Sequence, residues 1–248
     1  MFEYAFAVIN VWEKKLFNSL DQERMLKSPD RESAFLVLFD TDLGQVAKEK
    51  ESDIEQVLEK DLVALKQKLS VLLGEKEEFL WYLFLKFDAL NIKIALKKQG
   101  EPFSFSIEPF AKVERMILGQ TKPELETINP FVQEIISDCL AFLGKDSALI
   151  ERKVDEAYFK AKLALAKKLH PFLQEITQME IDIVNAKKPR NTITKTILER
   201  EKSAGAGPEK IMGFWEKKMN GYANIRLILF AKEKNIGFQE IEKSLLVV

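Results

Sequence analysis

Apolar residues in this chain recur every three or four positions over long stretches, as in Leu58, Leu62, Leu65, Leu69 and Leu72. That spacing suits one face of an α-helix and does not suit a strand, whose faces alternate every second residue. Only 10 Gly and 8 Pro interrupt 248 residues, while Leu, Lys, Glu, Ala, Ile and Phe dominate, so the chain reads as all-α. The pattern predicts a first helix over Phe2 to Lys27. A shorter one starts with Ser28 as N-cap and Pro29 as first helical residue, and ends near Thr41-Asp42-Leu43-Gly44, with Gly44 as C′ residue. Ser52 and Glu55 have capping-box spacing ahead of a helix that runs to Gly74. The return helix, Glu75 to Gln99, is apolar all round from Phe79 to Leu85 and belongs inside a bundle.

Phe103 to Pro109 alternates like a strand but has no partner strand, so it reads as an irregular loop. Short helices follow over Pro109 to Leu118 and Pro123 to Thr127. Asn129 and Pro130 then open a helix to Phe142. Long helices are predicted over Ala148 to Leu169, Pro171 to Lys188 and Pro208 to Lys234, with a short one over Gly237 to Leu246.

Composition removes several function classes. Lys plus Arg number 38 against 39 Asp plus Glu, without the basic excess that phosphate neutralisation demands, so no nucleic-acid partner is expected. The longest apolar run, Phe79 to Leu85, falls far short of the roughly 20 residues that span a bilayer, so no transmembrane insertion is expected. The N-terminal stretch carries Glu3 and no basic region before its apolar residues, which does not match a secretory signal, and a cytoplasmic location is expected. One cysteine, Cys139, and one histidine, His170, leave no internal disulfide and few zinc, di-iron or triad chemistries. No Asp-Asp-x-x-Asp cluster or Glu-x-x-His pair is present, so no catalytic residue, metal or cofactor is assigned.

One short pattern occurs three times near the ends of long helices. The copies are Phe87-Asp88-Ala89-Leu90-Asn91-Ile92-Lys93, Ile181-Asp182-Ile183-Val184-Asn185-Ala186-Lys187 and Met219-Asn220-Gly221-Tyr222-Ala223-Asn224-Ile225-Arg226. Each sets an Asn before a small or apolar residue and a cation, and two place Asp three residues earlier on the same face. Asn lowers helix propensity by a few tenths of a kcal/mol, so its recurrence points to an amide that satisfies a loop carbonyl or a helix end.

These copies and several other stretches resemble the C subunit of V-type and archaeal A-type rotary ATPases, the family called subunit d in eukaryotes. The likeness is carried by Tyr4-Ala5-Phe6-Ala7-Val8 with Glu13, by Phe39-Asp40-Thr41-Asp42-Leu43-Gly44, and by Phe84 to Lys93. It continues in order through Val154-Asp155-Glu156-Ala157-Tyr158-Phe159, Pro171-Phe172-Leu173, Glu180 to Asn185, and Ala223 to Leu229. The resemblance implies a funnel of three related helical lobes, at approximately 1–105, 106–190 and 191–248 of a single domain. It further implies a non-catalytic adaptor between the central rotor axle and the membrane proteolipid ring. Where the family continues its helix, Ala186 to Asn191 contains Pro189, so the third lobe is expected to be abridged.

Within that reading Asp88, Asn91, Lys93, Asp182, Asn185, Lys187, Asn224 and Arg226 are the candidate lobe-joining and interaction residues. For Lys93, Lys187 and Arg226 a solvated helix face or an intramolecular pair is the preferred reading over partner contact. The basic stretch Lys187, Lys188, Arg190 and Lys195 is either an exposed linker or a contact for anionic head groups. The aromatic group Phe79, Trp81, Tyr82, Phe84 and Phe87 reads as core, and His170 as a helix terminator. A helical scaffold unrelated to rotary motors is the alternative function.

Overall fold

A computed structural model describes residues 2–49, 53–74, 76–120, 128–185, 191–205 and 207–248. Among these the secondary structure is α-helix with short 3₁₀ turns and no strand, as the apolar spacing requires. In chain order the helices are α1 (Phe2–Glu13), α2 (Ser19–Lys27), α3 (Arg31–Leu36), α4 (Gly44–Glu49), α5 (Ile54–Leu73), α6 (Glu77–Lys97) and α7 (Phe110–Ile117). They continue as α8 (Pro130–Cys139), α9 (Ser147–Leu169), α10 (Pro171–Val184), α11 (Asn191–Ser203), α12 (Pro208–Glu233) and α13 (Phe238–Glu242). The chain divides into two compact units, Met1–Asp61 with Pro189–Val248, and Leu62–Lys188, the division falling within α5.

The first unit is organised on α12, against which α1, α2, α3, α11 and α13 pack. Ile211, Phe214, Trp215, Tyr222, Ile225, Ile228 and Leu229 are buried on several faces of this helix, the pattern of a central element. The continuous helix expected over Phe2 to Lys27 is broken. The first part ends at Glu13 and Asn18 caps the second, its Oδ1 accepting from the Leu20 N–H at 2.8 Å while Asp21 accepts from the Asn18 N–H. Asn18 and Asp21 thus form a capping box, and the local backbone is better satisfied by ending one helix and starting another.

Ser28 closes α2 by donating its hydroxyl to the Arg24 carbonyl, and Asp30, not Ser28, caps α3 by accepting from the Ser33 N–H at 2.7 Å. A carboxylate is the stronger acceptor for a helix-start amide. Gly44 is not a C′ residue but the first residue of α4; a Cβ there would overlap the Phe39 carbonyl oxygen. The cap of α5 is Asp53, which accepts from the Glu55 and Gln56 N–H groups. Ser52 and the segments 123–127 and 186–190 lie outside the described residues.

In the second unit α6 packs against α7, α8 and α9, and α9 also packs against α8 and α10. The all-round apolar centre of α6 accounts for this, since Phe79, Leu80, Tyr82, Leu83, Phe84 and Leu85 are buried together. His170 ends α9 and caps α10, its Nδ1 accepting from the Phe172 N–H at 3.2 Å ahead of Pro171. Residues 101–109 form a loop without strand, and α10 stops at Val184, short of Lys188.

Candidate functional site: asparagine latches and buried ion pairs

The recurring asparagines do specific work on the main chain. Asn91, fully buried on α6, donates Nδ2–H to the Phe103 carbonyl at 3.0 Å and accepts the Phe103 N–H on Oδ1 at 2.8 Å. One side-chain amide therefore satisfies both polar groups of one loop residue. Asp88, also fully buried, completes the hold by accepting the N–H groups of Ile107 and Glu108, each at 2.8 Å. Burial pushes the Asp88 carboxyl up to about 7 even though those two donors pull the other way. The captured loop then passes the contact on, because the Glu108 carboxylate accepts from the Asn129 N–H at 2.6 Å and from Lys112 at 2.9 Å.

Asn224 on α12 makes the same two-bond ring. Its Nδ2–H donates to the Leu246 carbonyl and its Oδ1 accepts the Leu246 N–H, both at 2.8 Å. Asn220, one turn earlier, donates to the Val247 carbonyl at 2.9 Å. The two latches close within different units and bring in segments twelve and 22 residues further along the chain.

The other candidates are placed less alike. Lys93 bridges Glu151 and Asp155 of α9 at 2.6 and 2.7 Å. Arg226 forms a two-pronged pair with Glu55 at 2.7 and 2.6 Å on the surface. Asp182 accepts from Gln178 at 3.1 Å, while Asn185 is exposed at the end of α10. Lys187 lies outside the described residues.

The structure also brings together charges that spacing did not single out. In the first unit Lys218 of α12 sits between Asp42 and Asp61, 2.5 Å from the latter, and the Tyr222 hydroxyl donates to Asp61. Burial works against the Lys218 charge, but the two carboxylates outweigh it and hold its pKa above the ordinary value. Burial likewise raises Asp42, whose Oδ1 has no hydrogen-bond partner among the described residues and which lines a cavity of about 10 Å³. Nearby, Glu13, Lys210, Glu201 and Lys217 alternate in a ring of ion pairs across α1, α11 and α12. In the second unit Lys162 is 6% exposed, 2.5 Å from Glu180, and lies over the rings of Tyr82 and Tyr158 at 4.8 and 5.6 Å. The Tyr158–Lys162 and Lys218–Tyr222 spacings of four could have been seen beforehand, but Asp42 and Lys218 are 176 positions apart.

These features define an all-α protein whose recurring polar side chains fasten its own loops and whose buried charges close on one another. The sequence matches the model of the ATP synthase (C/AC39) subunit family over residues 5–204, and the chain belongs to that family. It is thus a subunit of the V/A-type ATPase class. No curated protein matches the sequence. Among the described residues no helix is long and apolar enough to cross a membrane.

Proposed function

We propose that this chain is the non-catalytic central-stalk adaptor of a V/A-type rotary ATPase, coupling the rotor axle to the proteolipid ring on the cytoplasmic face of the membrane. The observation that carries this reading is the family match over residues 5–204. On the same reading the chain forms three lobes, at approximately 1–105, 106–190 and 191–248, of a funnel abridged in its third part. Asp88, Asn91, Lys93, Asp182, Asn185, Lys187, Asn224 and Arg226 are then its lobe-joining residues.

A part that transmits torque needs stiffness more than reactive groups. Packed interiors deform little, and loops held by buried amides and helices tied by buried ion pairs supply the same quality locally. The test is a pull-down with the tagged chain from detergent-solubilised membranes. Recovery of proteolipid and axle subunits together is the expected outcome; a stable complex lacking both overturns the reading.

A further inference from the structure

The two asparagine latches differ in what aims the amide. Asn91 spends its amide hydrogens on the loop it holds, donating to the Phe103 carbonyl at 3.0 Å and to the Ser106 hydroxyl at 2.9 Å. That loop is gripped as well by Asp88 and by the mutual contacts of the Phe87, Phe103 and Phe105 rings. Loop and helix there form one structure. Asn224 is aimed from elsewhere: besides the Leu246 carbonyl, its Nδ2–H donates to Gln22 Oε1 on α2 at 2.9 Å. A neighbouring helix thus fixes the amide's orientation whether or not Leu246 is seated against it.

The segment held by Asn224 is bound through its main chain and little else. Residues 245–248 follow the last turn after α13 without regular structure, with Leu246 37% and Val247 64% exposed. Among the described residues its hydrogen bonds to α12 are three, the pair at Leu246 and the Val247 carbonyl accepting from Asn220 at 2.9 Å. A neutral hydrogen bond shifts an equilibrium only about two- to tenfold net, so three hold the segment by at most about a thousandfold. A whole domain is held by about 10³–10⁸-fold, so the segment opens well before its unit unfolds. Ile241 is buried and keeps α13 in place, which leaves the chain beyond Ser244 to move by itself.

We propose that Asn220 and Asn224, with Gln22 behind them, form a binding site for an extended apolar segment, and that residues 245–248 fill it in the resting chain as a releasable strap. The ligand class is read from the resident: a main chain that offers the N–H and C=O of one aliphatic residue and the C=O of the next. Three amide bonds fix its register, as in other main-chain recognition. A partner's segment of that chemistry enters only when the strap is off, so the strap lowers its apparent affinity by the fraction of open chains. The site does not depend on the adaptor role.

The test uses the full isotopically labelled chain. The Leu246 amide should exchange its hydrogen at least about tenfold faster than the Ile225 amide of α12, at a rate that low urea leaves unchanged, since a small opening exposes little surface. Leu246→Pro removes the N–H that Asn224 accepts and should eject the strap while the Ile225 amide keeps its protection. A capped peptide, Lys-Ser-Leu-Leu-Val-Val, the sequence of residues 243–248, should then shift the Asn220 and Asn224 side-chain amide signals of that variant saturably at millimolar concentration. The wild type, whose site is already filled from within, should bind it at least about tenfold more weakly. A peptide with Pro in place of its second Leu should shift neither protein. The proposal is overturned if the Leu246 amide exchanges only with global unfolding, a result read on the wild type alone. It is overturned equally if the variant, with Ile225 protected, shows no movement at about 5 mM peptide, or if variant and wild type bind alike. A wild-type dimer that forms with rising concentration and holds its straps exchanged between copies overturns it in favour of a swapped tail.

Discussion

At the scale of single residues, Asn91 and Asn224 show how a poor helix former becomes useful inside a helix. Each offers one donor and one acceptor at the right separation for a single peptide residue, so a loop without regular structure is pinned to a rigid element. Replacing Asn91 by Ala leaves the Phe103 N–H and C=O in a buried setting without that partner and should cost about 1–3 kcal/mol. Denaturant unfolding measures the loss, and amide exchange at Phe103 should quicken ahead of exchange elsewhere in α6. Asp88 adds a pH dependence. Since burial raises its carboxyl to about 7, the folded chain keeps a proton there that the unfolded chain releases near pH 4. The contribution is fully present below about pH 4 and is lost as pH rises through about 7. The stability of the wild type relative to Asp88→Asn should therefore fall between about pH 5 and 7.5; a difference that grows over that range refutes the assignment.

At the scale of elements, α12 carries the first unit, and two of its glycines predict opposite outcomes. A Cβ on Gly213 would overlap the Glu201 carboxylate, whereas one on Gly221 meets Phe17 carbons at 3.6 and 3.7 Å, an ordinary contact. Gly221→Ala should thus be neutral or stabilising by up to about 1 kcal/mol, the helix-propensity gain, while Gly213→Ala should lower the melting temperature by disturbing the Glu201 pairs. Lys218→Met removes the buried cation between Asp61, itself buried, and the half-buried Asp42, and should cost about 3–5 kcal/mol, read by the same unfolding experiment.

The helices themselves were legible because their information is local: the spacing of apolar residues, Pro130 and Pro171 at first positions, and Asn129 as a cap. Where two local signals competed, at Ser28 against Asp30 or along Phe2 to Lys27, the charged cap and the Asn18–Asp21 box prevailed. The asparagine repeat was legible as a pattern with a stated use, a loop carbonyl satisfied by an amide. The residue each amide would hold was not, since twelve or 22 positions of intervening chain leave no periodic trace. The Asp42–Lys218–Asp61 and Lys162–Glu180 pairs were hidden for the same reason.

At the scale of the whole molecule, the second unit is a continuous stretch, Leu62–Lys188, with its own buried core on α6 and α9. Expressed alone, residues 62–188 should give a helical protein with cooperative thermal unfolding and a protected Phe103 amide. A broad, non-cooperative melt would mean that this stretch depends on the rest of the chain. The first unit has no such independence. It joins residues before the division to residues after Pro189, and ties such as Glu13 to Lys217 and Lys232 to the Leu26 carbonyl link positions 204 and 206 apart. On the ribosome α1 to α3 therefore emerge with their apolar faces uncovered and must wait for α12, some 170 residues later, before they can be buried. At roughly 5–20 residues per second that interval lasts on the order of ten to thirty seconds, long enough for nascent-chain chaperones to hold the waiting segment.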